Sequence, residues 1–499
     1  MISRSNQINS NYQKNYFNLK YDYHKFSPYL KVEIENKQDK SKHDSLMISS
    51  FRFYDFTLGL NSTFIKYVDI NSAFNFRKDF LPFKEKIEEE ANSYIYQLGL
   101  RLKNISNLSS SLDLSLRQRK YSDQFKSLGR LNNQSLAIKY LGRGIFFQRF
   151  LQSDLYYEAS SQRSAKLERI FLRVPKGTGQ FIYKGDLNGN GIADEFEFEP
   201  TKFEGDYILT TFPTDELFPV IDLKASVRLK LDFRNLSVIQ NVQKYLKPIS
   251  TETYLRVEEN STDPEEANVY LIRLRTFQNK ETTIRGSNLI QQDLNLFEYD
   301  PDFNMLFRFI ERRGFSRYSL TDERRFQQEK IIRLRWKFVK EFANQTELNL
   351  TKNNLSSSAY SVRNFLIKQI TLSSKLFYYP FNNVETSFKI GIGQSKDIYP
   401  KTPTVIDLNT QELTLTIMYS LRGKFNFSFE RMEMIANQNL SYVPFELTRG
   451  YVIGKNYIWR LSFDYQIANN FQTSIVYDGR VQDKSFPIHT ATAEVRAYF

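Results

Sequence analysis

The stretch Tyr457-IWRLSFDYQ-Ile467 places Tyr457, Trp459, Leu461, Phe463, Tyr465 and Ile467 at every second position, with Arg460, Ser462, Asp464 and Gln466 between them. Successive side chains of a β-strand point to opposite faces, so a period of two predicts a strand with one apolar and one polar face. The device recurs. Val227, Leu229, Leu231 and Phe233 alternate with Arg228, Lys230 and Asp232, and Ile332, Leu334, Trp336 and Phe338 alternate with Arg333, Arg335 and Lys337. Shorter versions occupy 17–23, 30–34, 94–102, 112–116, 413–419, 425–429 and 471–477.

Turn-rich polar pieces separate these runs, and several are short, which favours antiparallel neighbours joined as hairpins. Longer charged connections are expected at 35–47, 78–92, 259–266, 278–287 and 313–329. The segment KEKIEEEANSYI at 84–95 reads as a short loop helix. The runs amount to roughly 16 to 22 strands of about 9 to 12 residues, the length of a tilted membrane-crossing strand. Full charges stand on many polar faces, and aromatic residues cluster near strand ends, as in FFQRF, KLFYYPF and NYIW. Together these predict an all-β fold, an antiparallel transmembrane β-barrel, in which lipid wets one face and water the other.

Composition agrees. The chain has 43 Phe and 31 Tyr, residues that favour pleated surfaces, against 19 Gly and 14 Pro. Its mean hydropathy of −0.50 suits a protein that shows lipid only alternate side chains. No window approaches the roughly 18 to 20 apolar residues of a membrane helix. With no cysteine, thiolate chemistry, disulfides and Cys-bound zinc are excluded. Three histidines, His24, His43 and His489, lie far apart, and no G-x-S-x-G occurs, so catalysis is not expected. The formal charge of +13 is dispersed, without the one-sided basic patch of a nucleic-acid binder.

The last strand, His489-TATAEVRAY-Phe499, carries Ala491, Ala493, Val495, Ala497 and Phe499 on one face. It resembles the closing strand of bacterial outer-membrane β-barrels. The resemblance implies that Phe499 is part of a signal read by the barrel-assembly machinery, and that the chain sits among outer-membrane lipid. The first residues, MISRSNQINSNYQKNYF, lack the apolar core of an export leader. A longer exported protein, of which this chain is the C-terminal part, or a partner subunit that completes the barrel, is therefore expected.

Alternation fails between 166 and 221, which divides the chain into barrel strands at 1–165, an inserted module at 166–221 and barrel strands at 222–499. Within the module, Asp186, Asn188, Asn190, the backbone of Ile192, Asp194 and Glu197 fall at positions 1, 3, 5, 7, 9 and 12 of a calcium-type loop, with Gly191 at position 6. A hard cation wants six or seven oxygens, and alternate positions of a tight loop supply them. Its flanks read as extended rather than helical. Ca²⁺ is thus the candidate cofactor, beside the plainer reading of an Asx-rich turn holding itself by hydrogen bonds. The pieces VPKGTGQF (174–181), DLNGNGIADEFEF (186–198) and GDYIL (205–209) resemble a module of large surface or outer-membrane proteins of the Bacteroidetes and Chlorobi kind. That resemblance implies a cell-surface setting and carries no activity with it.

The expectation is an outer-membrane pore, transport or secretion channel, or surface anchor, whose candidate lumen residues are Arg228, Lys230, Arg333, Arg335, Lys337 and Arg460. Pairing of most of these with groups such as Asp232, Glu430 and Asp464 is expected. The alternative is a secreted or surface β-sheet protein that binds glycan or a protein partner.

Overall fold

The computed structural model describes residues 9–40, 46–105, 107–235, 245–319, 321–358, 364–419, 422–437, 443–468 and 470–497. Phe499, the expected assembly signal, lies outside them. Contacts divide the chain into two units: Met1–Ser164 with Phe218–Leu229 and Val257–Thr276, and Ala165–Leu217 with Lys230–Arg256 and Phe277–Phe499. In both, the architecture is an antiparallel succession in which strands pair with their sequence neighbours.

The first unit holds β1 (Asn9–Lys20), β2 (Phe26–Lys40), β3 (Phe51–Ser62), β4 (Val68–Phe83), β5 (Lys86–Ile105), β6 (Leu108–Tyr121), the helical turn α1 (Asp123–Lys126), β7 (Asn133–Phe146) and the start of β8 (Leu151–Arg173). Its register aligns one apolar row across seven strands: Leu19, Leu30, Leu58, Phe74, Tyr96, Leu116 and Leu136. The opposite face carries Ser27, Asn61, Asn71, Gly99, Asp113, Lys139 and Glu158 in a second row. Because the side-chain period is two, a slip of one residue anywhere would mix these rows, so the register is strongly specified. The apolar row is exposed: Leu58 is 59% exposed and Tyr96 48%.

Two sequence expectations are overturned here. The stretch 84–95 is not helical: residues from Lys86 onward belong to β5, held between β4 and β6. Pairing on both edges outweighs a helix-like charge pattern, as tertiary context commonly does. Nor is 78–92 a long loop. Phe83 pairs with Lys86 across a two-residue turn, and Lys84 and Glu85 have φ of 45° and 67°. Consecutive positive φ values match the twist of a hairpin, but without Asn or Gly the sequence carries no sign of them.

After β8 come β9 (Gly179–Tyr183), a 3₁₀ turn at Glu195–Glu197 and β10 (Phe198–Gly205), all in the second unit, then β11 (Tyr207–Asp232), β12 (Ile249–Ser261) and the helical turn α2 (Glu266–Tyr270). β9 pairs with β10, and Tyr207 of β11 with Phe181 of β9. This small β-module has its own aromatic core. Phe198 is 4% exposed and stacks on Phe171 with ring centroids 3.8 Å apart, ringed by Phe181, Tyr183 and Tyr207.

The second unit continues with β13 (Thr283–Leu296), β14 (Phe303–Arg317), β15 (Asp322–Val339), β16 (Phe342–Ser357), β17 (Phe365–Phe381), β18 (Val384–Asp397), β19 (Thr404–Tyr419), β20 (Gly423–Ala436), the helical turn α3 (Phe445–Thr448), β21 (Gly454–Ala468), β22 (Phe471–Gln482) and β23 (Ile488–Ala497). The expected long connection at 313–329 is the hairpin of β14 and β15, which pair out to Arg317 and Asp322. Strands outrun the expected lengths, β15 having 18 residues and β17 having 17, because polar residues extend pairing past the apolar stripe. Two apolar rows cross this unit: Leu294, Phe307, Ile332, Leu348, Leu372 and Ile392, and farther along Val384, Ile417, Phe425, Phe463, Ile475 and Ala493. The opposite face is polar along most of its length but turns apolar at one end. There Leu355, Phe365, Ile367, Ile406 and Met434 pack against Leu447 and Tyr451 from the β20–β21 connection.

Candidate functional site

The charged residues singled out from sequence lie on the polar faces, and most of those in the second unit are neutralised. Arg333 Nε donates to Glu347 at 2.8 Å, Lys230 Nζ to Glu298 at 2.9 Å, and Arg460 lies 3.6 Å from Asp478. Lys337 lies 3.8 Å from Asp302, and Arg228 is engaged as well. Arg335 stands opposite Asn304 and Gln345. Two of the anticipated acceptors have other donors. Asp232 takes Arg234 at 2.8 Å, and Glu430 takes the Tyr451 hydroxyl at 3.1 Å. Asp464 stands opposite Lys424 and Ser474. A partner two strands away, or in a folded-in loop, is invisible to a reading that works along one strand.

The calcium-type loop has the backbone that its pattern requires. Gly191 sits at φ +73°, where a β-carbon would be strained. Asp186 Oδ1 accepts from the Gly189 amide at 2.6 Å and Oδ2 from the Gly191 amide at 2.7 Å. These amides, that of Gly191 foremost, hold the Asp186 carboxyl below its ordinary range. Glu197, fully buried, accepts from the Leu187 and Asp194 backbone amides at 2.7 and 3.0 Å, and the Asn188 and Asn190 side-chain Nδ2 groups donate to Asp194 Oδ2 at 2.7 and 2.8 Å. The donor set is all oxygen, as Ca²⁺ demands. Here, however, those oxygens serve the loop's own N–H groups, and among the described residues no three carboxylates gather in a metal-holding arrangement. The fit is therefore partial, and the Asx-turn geometry accounts for the loop as it stands.

Beside this loop stands a clamp that sequence reading missed. Arg169, on β8 and 14% exposed, donates to Glu195 at 2.6 Å and to Glu323 of β15, and its guanidinium lies 3.7 Å from the Tyr318 ring centroid. One cation thus joins the module to the β14–β15 hairpin. The only hint in sequence is an Arg in the stretch where alternation fades.

β10 meets the β20–β21 connection at a second contact. Lys202 Nζ sits 3.7 Å over the Tyr451 ring, and Phe203 lies edge-on to Tyr451 at 6.4 Å, covered on its other side by Arg480 at 4.5 Å. Gly450, at φ +76°, allows this approach: a β-carbon there would lie 2.7 Å from Lys202 Cβ and collide with the Phe445 ring. Arg449, also left-handed at φ 55°, donates to Gln369 Oε1 of β17 at 2.8 Å. His489 is hydrogen-bonded through Nδ1 to the Tyr477 hydroxyl at 2.8 Å, with Trp459 at 5.7 Å.

No protein-family model and no curated protein matches this chain. Among solved structures it is similar to the outer-membrane transporter YddB from Escherichia coli, at 8% identity and a TM-score of 0.40, covering 99% of this chain and 76% of that one. It is likewise similar to the siderophore receptor PirA from Acinetobacter baumannii, at 8% identity and a TM-score of 0.36, covering 95% and 76%. A mutant of the ferric enterobactin receptor from Pseudomonas aeruginosa matches at 8% and 0.30, covering 91% and 74%. Likeness at this level says nothing of what this chain carries.

Proposed function

We propose that the chain is a bacterial outer-membrane β-barrel protein that forms a transport channel. One observation carries the reading: in each unit, cross-strand register gathers exposed apolar side chains into rows on one face and polar or charged ones into rows on the other. Contiguous apolar surface on this scale is foreign to a protein dissolved in water, and lipid is its natural partner. Closure of the strands, which leaves no unpaired edge in the bilayer, is the arrangement in which lipid tolerates such a sheet. The polar faces then line an aqueous path, and their paired charges leave it without strong preference for cations or anions. Ca²⁺ at the 186–197 loop would stiffen the module rather than switch it, since no helices flank it. The motifs of 174–209 support a surface protein of Bacteroidetes type. Refolded chain added to planar bilayers tests the reading: discrete conductance steps are expected, while a silent bilayer and detergent-free solubility would contradict it and favour a soluble surface sheet.

A further inference from the structure

A cavity of about 350 Å³ opens in the second unit between β10, the α3 turn and the polar face of β16 to β20. That volume lies within the range of about 300–1,000 Å³ common for small-molecule sites. Its lining carries both signs of charge. The register brings Lys375, Lys389, Glu412 and Glu430 into one row, so that like charges stand directly opposite one another twice. Such neighbours weaken a sheet. Lys389 is 3.7 Å from Glu412, whereas Glu430 accepts from the Tyr451 hydroxyl at 3.1 Å. Lys202 and Arg449 reach the same space from the module and from the connection. Among the described residues Lys202 lies over the Tyr451 and Phe203 rings and within electrostatic reach of Glu430, and Arg449 donates to Gln369 Oε1. Arg449 is the left-handed C-cap of the α3 turn. Asn349 Oδ1, buried in the lining, lacks a hydrogen-bond partner.

We propose that this cavity binds a small zwitterion of the α-amino-acid class, its carboxylate held by Arg449 and Lys202 and its ammonium by Glu412 and Glu430. The Arg449 fork matches a carboxylate geometrically, and Lys202 supplies a second point charge. Two half-buried carboxylates side by side are stabilised when a cation comes between them. Asn349 Oδ1 adds an acceptor for the ammonium. The proposal goes beyond the channel reading and does not require it, because binding is read at equilibrium and conduction separately.

The test is calorimetric titration of the full chain in detergent micelles with L-glutamine, N-acetyl-L-glutamine and L-glutamine methyl ester. The zwitterion is expected to bind, and capping either charge to weaken binding at least tenfold. In the protein, Arg449→Gln and Glu430→Gln should each weaken L-glutamine tenfold or more, whereas Arg313→Gln, on β14 and outside the cavity's lining, leaves it unchanged. Circular dichroism verifies that the variants keep their strands, and the capped ligands test the same point on the unaltered chain. Equal binding of capped and uncapped ligands, no binding of any, or binding indifferent to Arg449 and Glu430 would overturn the assignment.

Discussion

In the strands β3 to β7 and β13 to β22, one rule governs most positions: a residue's parity decides whether it meets apolar or polar neighbours, and the rows persist across many strands. In the module at 174–206, each residue has a separate task. Phe198 fills a small aromatic core, Gly191 permits a turn, Glu195 takes Arg169 and Lys202 covers Tyr451. The wall is therefore redundant, and one altered position is supported by its row. The module is not, since its place depends on a few contacts made once each. A change to a wall residue should be felt through the solvent it faces, and a change to a module residue through the one partner it loses.

The largest effect expected is at the clamp. Arg169→Met leaves Glu195 and Glu323 without their shared cation, Glu323 keeping Arg325 at 3.0 Å, and breaking a buried pair in this way costs at most about 3–5 kcal/mol. Hydrogen exchange should show the module and the β14–β15 hairpin opening while β17 to β19 stay protected. Uniform loss of protection would erase the proposed contrast. In the wall, Leu98→Arg puts a charge on the apolar row and should cost about 2–4 kcal/mol in urea titrations from lipid vesicles. Ser115→Arg, on the polar face one strand away, should cost little. Equal costs would mean that both faces see the same solvent.

A smaller loss is expected for Gly450→Ala. It meets a positive φ and the Lys202 stem, and should cost roughly 1–3 kcal/mol, read as faster proteolysis of the β20–β21 connection at unchanged strand content. The smallest effect concerns pH. Asp186 has its carboxyl pulled below the usual 3.8 by the Gly191, Gly189 and Asn190 amides. Its support for the loop is therefore complete above that ordinary value and is lost as pH falls through the lower folded one. The Gly189 and Gly191 amides should lose exchange protection on acidification below about pH 4, and Asp186→Asn should remove the dependence.

How much of this was legible follows the same division. Alternation at Tyr457–Ile467 and at 332–338 gave strand, face and charge placement directly, because parity is a local property. The misreadings were also local. The Lys84-Glu85 turn lacks the Gly or Asn that usually marks positive φ, and Glu-rich 86–91 imitates a helix until β4 and β6 pair with it. The calcium-type loop showed its turn residues plainly, since Asx turns are written within five positions. The Arg169 clamp and the Lys202–Tyr451 contact were hidden because they join residues 154 and 249 positions apart, which no period along the chain can reveal.

With no native cysteine, the chain accepts single spin labels anywhere, so the central claim can be read along one strand. Cysteines placed one at a time from Gln369 to Leu376 on β17, labelled and reconstituted in lipid vesicles, should alternate. Oxygen, concentrated in lipid, should relax labels at 370, 372 and 376, whereas a water-soluble nickel chelate should relax those at 369, 371 and 373. Labels on both faces answering to the chelate alone would show that no lipid touches this wall, and the account would fail.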